Sequence, residues 1–180
     1  MKKRTTQTRA LLEEALLLLL KKKDLKTITV RELCDRAGIN RTTFYNHYSS
    51  PEAVLEEMAE RYLDDIRATL ENTDGEIEKN VRTVFRYMEE HLSLTRIMLT
   101  SPINYTFLER LFSIPRIVDL LEASLSSVAD EREKIAVISF ALSGSYKLIK
   151  DWTASDERIS PDEEASLVLN LSRRVCRGGE

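Results

Sequence analysis

The residues best equipped for chemistry gather in one stretch. Residues 29–48 read TVRELCDRAGINRTTFYNHY, and the apolar members Leu33, Ala37, Ile39 and Phe44 recur as two short helices facing a common partner would require. The polar members then share the outer side: Arg41, Thr42, Thr43, Tyr45, Asn46 and His47. Aligned on one short helix, such donors suit phosphate oxygens and base edges in a major groove. His47 and His91 are the only histidines, and neither has Cys or acidic neighbours at metal-ligand spacing. Neither adjoins a nucleophile motif, and the five glycines form no phosphate-cradling loop. No enzyme activity, metal or other cofactor is expected.

Those donors need helices to hold them. Thr29 and Glu32 have the spacing of a capping box, which starts a helix by satisfying orphan amides in both directions. Gly38 can take the positive φ that ends it near Ala37, and Asn40 caps a third helix from Arg41 to about Tyr48. Two short helices joined by a Gly-containing turn define a helix-turn-helix. Many helix pairs of this kind never meet DNA, so spacing alone leaves both outcomes open. A first helix, about residues 6 to 23, offers the pair a stripe of Leu12, Leu16, Leu19 and Leu20.

Ser50 and Pro51 open a fourth helix reaching about residue 70, striped by Leu55, Met58, Tyr62, Ile66 and Thr69. Further helices are expected over about 76–92, 93–100, 105–127 (bent at Pro115), 131–153 and 162–176. The last repeats the Ser-Pro start at Ser160 and Pro161. The composition agrees: 180 residues, 42% hydrophobic and 32% charged, with only five Gly and four Pro. The expected fold is all-α, with about nine helices. Residues 1–50 form a small head and residues 51–180 a larger body, joined by the fourth helix.

Charge divides along the same line. The first fifty residues hold eleven Lys and Arg against five Asp and Glu, whereas the whole chain has 27 against 30. A basic head on an acidic body suits a protein that presents one end to a polyanion, although an ordinary solvated face has the same signature. Two cysteines, Cys34 and Cys176, lack any redox or metal pairing, which fits a reducing, cytoplasmic setting. Lys2, Lys3 and Arg4 before the run Leu16 to Leu20 imitate a secretory leader. Glu13 and Glu14 interrupt it, however, and Lys21 to Asp24 occupy the place of small cleavage-site residues. No segment has the roughly 18 apolar residues of a membrane span.

The segment Thr29–Leu55 resembles the N-terminal domain of the tetracycline-repressor (TetR) family. The matching residues are Ala37, Gly38, Ile39, Asn40, Tyr45, His47, Tyr48, Ser50 and Glu52. Phe140, Gly144, Trp152 and Pro161 also look like the family's last two helices. The resemblance implies double-stranded DNA as partner, with phosphate contacts from Thr29, Tyr45 and His47. It implies base or sugar contacts from Arg41, Thr42 and Thr43, and a flexible basic arm of Lys2, Lys3 and Arg4 near a minor groove. Two positions depart from the pattern. Pro51 stands where the family often has a phosphate-binding Lys, and Thr42 where many members have Gly.

The same resemblance implies a small-molecule cavity in the body. Its expected lining is Tyr62, Phe85, Met88, Met98, Tyr105, Phe112 and Tyr146, although aromatic and Met residues at helical spacing are usually core. The last two helices carry stripes through Ile138, Leu142 and Ile149, and through Ala165, Val168, Leu169 and Ser172. Small residues such as Ser139, Ser143 and Gly144 permit close helix contact, so these helices either close the monomer's own core or pair two chains in a four-helix bundle. The resemblance favours the homodimer. It implies a regulator, usually a repressor, that a small organic effector releases from a palindromic site; an activator would have the same sequence. A DNA-binding architectural or partner-binding protein without effector is the alternative.

Overall fold

The computed structural model describes residues 2–71, 76–101, 104–115, 117 and 130–176, with side chains from Thr6 onward apart from residues 104–106. Among these residues there are nine α-helices, one 3-10 turn and no strand. The helices are α1 (Lys2–Leu20), α2 (Val30–Ala37), α3 (Arg41–Tyr45), α4 (Pro51–Glu71), α5 (Ile77–Glu90), α6 (Leu92–Thr100), α7 (Asn104–Phe112), α8 (Glu131–Ala154) and α9 (Pro161–Cys176). The 3-10 turn, Leu25–Thr27, lies between α1 and α2.

The head follows the expected pattern with shifted ends. Leu12 and Leu16 of α1 are fully buried against Leu33 of α2 and Phe44 of α3, while Leu19 and Leu20 are half-buried. α1 begins at Lys2, so the backbone of Lys2, Lys3 and Arg4 is its first turn and not a separate arm; their side chains lie outside the described residues. α3 stops at Tyr45 because the amides of His47 and Tyr48 both turn to the Phe44 carbonyl, each at 2.9 Å.

α4 leaves the head and enters the body. Leu55, Met58, Tyr62 and Ile66 are buried along it, joined by Leu63 and Leu70, while Thr69 is only half-buried. In the body α5 packs on α9, α9 on α8, α8 on α6, and α4 on both α5 and α7. α7 ends at Phe112 instead of continuing through a bend. The residue before a proline is pushed out of helical geometry, and that residue is Ile114. The expected continuation to about residue 127 lies mostly outside the described residues.

α9 is pinned at its start. Ser160 and Glu163 form a capping box: the Ser160 hydroxyl accepts from the Glu163 amide at 3.3 Å, and the Glu163 carboxylate accepts from the Ser160 amide at 2.9 Å. The Trp152 indole donates to the Ile159 carbonyl at 2.9 Å. Arg86 of α5 grips the Asp162 carboxylate in a fork, at 2.8 and 2.7 Å. No helix among the described residues is long and apolar enough to cross a membrane.

Candidate functional site

The reading head is built from local hydrogen bonds. Thr29 accepts from the Glu32 amide at 3.2 Å, and the Glu32 carboxylate accepts from the Thr29 amide at 3.3 Å. The Thr29 hydroxyl also donates to that carboxylate at 3.2 Å, so the group expected to meet a phosphate is already engaged in the cap. α2 ends at Gly38, whose φ of 66° is left-handed. The Asn40 side chain then accepts from the Thr43 amide at 2.9 Å and starts α3.

This sequence of cap, turn and cap presents one polar face. Thr29, Arg41, Thr42 and Asn46 are exposed, and Thr43 and His47 half-exposed. Tyr45 is 59% exposed although it stacks edge-on against buried Phe44, ring centroids 5.4 Å apart. All seven side chains are thus at least partly open to solvent.

Two sets of charges brace that face. Lys23 donates to both Glu32 carboxylate oxygens at 2.6 Å. This bond, followed by the Thr29 amide, holds the Glu32 carboxyl below the usual glutamate range. Between α1 and α4, Arg9 pairs with Glu57 at 3.2 Å and Arg61 with Glu13 at 2.6 Å, and within α4 Arg61 also holds Glu57 at 3.1 Å. Burial pushes the neighbouring Tyr48 phenol up to about 12, with the Glu57 and Glu13 carboxylates adding to the effect. The head is therefore tied to the first half of α4. Pro51, the departure noted above, is buried at the start of α4, and the Ser50 hydroxyl accepts from the Ala53 amide at 3.3 Å.

The body has a partly open cavity of about 160 Å³ between α5, α8, α9 and the end of α4. Phe85, Met88 and Phe112 line it as expected. Tyr62, Met98 and Tyr146 do not. Tyr62 is buried with its hydroxyl 2.7 Å from Thr95, Tyr146 donates to the Leu99 carbonyl at 3.1 Å, and Met98 is core. Their polar atoms, where they have them, close the interior instead of facing a ligand. The Tyr105 side chain lies outside the described residues. The remaining wall was not expected as lining from sequence: Leu70, Ile77, Asn80, Val84 and Cys176 are among its members, with Leu142, Ile149 and Val168 from the expected pairing stripes. Aliphatic residues at helical spacing carry no mark that separates cavity wall from packed core.

The expected pairing stripes of α8 and α9 also need correction. Ile149, Ala165, Val168 and Leu169 are buried within the chain itself, Leu142 and Ser172 line the cavity, and Ile138 is half-buried. What α8 and α9 leave in the open is a different set: Ile135 at 60% exposure, Phe140 at 68%, Leu167 at 41% and Leu171 at 39%. Both helices are apolar on more than one side, and the chain's own core took Ile149, Ala165, Val168 and Leu169 from the stripes that the sequence pattern had assigned to a partner.

A capped helix-turn-helix with an exposed polar third helix, continued through α4 into a larger helical body, is the arrangement of a DNA-binding regulator. Residues 7–58 match the family model of bacterial regulatory proteins of the tetR family, and residues 75–174 match that of the transcriptional regulator C-terminal region. The chain belongs to the TetR family of transcriptional regulators, which are DNA-binding proteins and not enzymes.

Among proteins it resembles is the uncharacterised HTH-type transcriptional regulator YxbF of Bacillus subtilis, 27% identical over 170 residues that cover 90% of this chain and 44% of that protein. The chain thus spans less than half of that relative's length. A TetR transcriptional regulator from Streptococcus agalactiae has the same fold, with a TM-score of 0.74 at 22% identity, covering 96% of this chain and 97% of that one. The dihydroxyacetone kinase operon activator DhaS aligns with a TM-score of 0.61 at 18% identity, covering 92% of this chain and 93% of that one. At these identities the structural likeness is one of fold.

Proposed function

We propose that the chain acts as a homodimeric repressor, which binds a palindromic duplex site through its two heads and is released by a small, largely apolar effector held in the body. Residues 1–50 serve as the head, residues 51–180 as the body, and α4 as the link. The observation that carries this reading is the cavity at the far end of α4. Leu70 lines that cavity, while Glu57 and Arg61 of the same helix bind α1. A molecule that displaces the end of α4 therefore moves the head.

In a two-fold dimer the two α3 helices must lie about one helical turn of DNA apart, roughly 34–36 Å. An effector that binds better to another spacing weakens DNA binding by the ratio of its affinities for the two arrangements. The cavity, at about 160 Å³, is below the roughly 300–1,000 Å³ of drug-sized ligand sites, so this reading holds against an architectural protein only for a very small effector. DhaS, by its name an activator, has the same fold, so the direction of regulation needs its own assay.

Selection of bound sequences from random duplexes tests the core of the proposal. A palindromic consensus is expected, bound more weakly by Tyr45→Ala and His47→Ala on specific and random DNA alike, since phosphate contacts carry no sequence information. Thr42→Ala and Thr43→Ala are expected to change preference at particular positions. Repeating the selection with cell metabolites present, and coupling the consensus to a promoter, reads out release and the sign of regulation. Head variants that fold and bind DNA as well as the natural chain would overturn the interface.

A further inference from the structure

The cavity's chemistry narrows the effector further. Its walls are aliphatic and aromatic, with Val84, Phe85, Leu142, Ile149 and Val168 among them. Set among these are Asn80, Ser145, Ser172, Cys176 and Arg173. Burial pushes the Cys176 thiol up, which keeps it neutral. Arg173 is then the one ionised group on the described lining, and no carboxylate joins it. A cation entering this space meets a like charge on the lining, and the Glu78 carboxylate beside it is already held by Arg82. A carboxylate meets a planar fork of donors that matches its geometry.

Arg173 is free to change partners. Its ion partner is Glu78 of α5, at 3.7 Å, and both side chains are partly exposed. Glu78 also holds Arg82 at the shorter distance of 2.9 Å. The Arg82 hydrogen bond is the first cause of the lowered Glu78 carboxyl, with Arg173 contributing less. If Arg173 turns toward a ligand, Glu78 keeps its better partner. Exposed pairs of this kind contribute only about 0–1 kcal/mol, so a ligand carboxylate competes for Arg173 at little cost.

Size sets the other limit. A cavity of about 160 Å³ is close to the roughly 150 Å³ of an engineered apolar cavity that admits benzene. One ring or a short branched chain fills such a space. We propose that the body cavity takes a small apolar monocarboxylate, its ring or branched chain between α5, α8 and α9 and its carboxylate on Arg173 at the rim. This rests on the effector reading above and names the chemical class. Binding replaces the Arg173–Glu78 contact between α9 and α5 and fills the space against Leu70, so it acts on the helix that carries the head.

Calorimetric titration of the full chain tests this with matched pairs: benzoate and benzamide, 4-methylbenzoate and 4-methylbenzamide, 3-methylbutanoate and 3-methylbutanamide. At least one carboxylate is expected to bind tenfold or more tightly than its amide. That ratio falls to about one in Arg173→Gln and is partly retained in Arg173→Lys, with melting curves showing that both variants fold. Val84→Phe, which fills the cavity, is expected to weaken acid and amide alike. Equal binding of acid and amide, or a ratio that survives Arg173→Gln, overturns the charge assignment and leaves the effector reading in place. If no member of any pair binds the natural chain, the ligand class falls, while the effector reading is still decided by DNA binding measured with and without cell metabolites.

Discussion

Gly38 lets the cost of a single backbone angle be isolated. Its φ is 66°, and a Cβ built there meets nothing within 4 Å. Steric crowding therefore contributes nothing to Gly38→Ala; the penalty is the left-handed conformation itself, ~1–2 kcal/mol for a residue with a side chain. Denaturant melts are expected to show a loss of that size, and an unchanged midpoint would mean that the turn imposes no such requirement. Gly38, the Thr29 cap and the Asn40 cap were all legible in the sequence, because each acts on atoms within a few residues. The tyrosines of the body were not. The hydroxyl partner of Tyr62 is 33 residues away, that of Tyr146 is 47, and no local pattern records such a distance. Both phenols look ligand-facing until the chain folds and supplies their partners.

At the scale of the element, the entry to α2 depends on one charge. The folded Glu32 carboxyl titrates below its ordinary range, chiefly through the Lys23 hydrogen bond. Since the folded value is the lower one, the stability this pair contributes is fully present above the unfolded value. It is lost as the pH falls through the folded value. Glu32→Gln keeps the side-chain acceptor that a capping box needs and removes only the charge. Between about pH 6 and about pH 3, around the ordinary glutamate value, the natural chain is therefore expected to lose more melting temperature than Glu32→Gln. Parallel curves would show that Lys23 contributes nothing through charge. Helix starts were easier to foresee than helix ends because capping side chains mark them. α3 and α7 both stop earlier than periodicity implies, one where amides converge on the Phe44 carbonyl and the other before Pro115. α8 illustrates a different limit. Ala141 and Ile149 face inward while Ile135 and Phe140 face outward, so its sequence supports two apolar faces, and only the packed body decides between them.

At the scale of the whole molecule, the proposed homodimer has the exposed residues of α8 and α9 to draw on. Ile135, Phe140, Leu167 and Leu171 stand at 60%, 68%, 41% and 39% exposure, and large apolar side chains left open on two packed helices are candidates for an association surface. A second copy offers the same helices in return, which is the self-complementary arrangement of a two-fold contact. This surface differs from the stripes expected from sequence, and the difference separates two kinds of variant. Phe140→Glu and Leu171→Glu place a charge where the monomer has no core, so each is expected to leave the helix content and melting of the isolated chain nearly unchanged. In the dimer the same charge is buried without a counter-ion, a change that typically costs about 3–5 kcal/mol. Such a loss raises the dissociation constant by more than a hundredfold. Sedimentation at micromolar concentration is expected to show a natural dimer and monomeric variants, and the monomers to lose affinity for the full palindrome far more than for a half-site. Val168→Glu, by contrast, puts its charge inside the monomer's own core and is expected to unfold the body before it dissociates anything. A natural chain that sediments as a monomer, or Phe140→Glu and Leu171→Glu proteins that both remain dimers, would remove this surface from the interface.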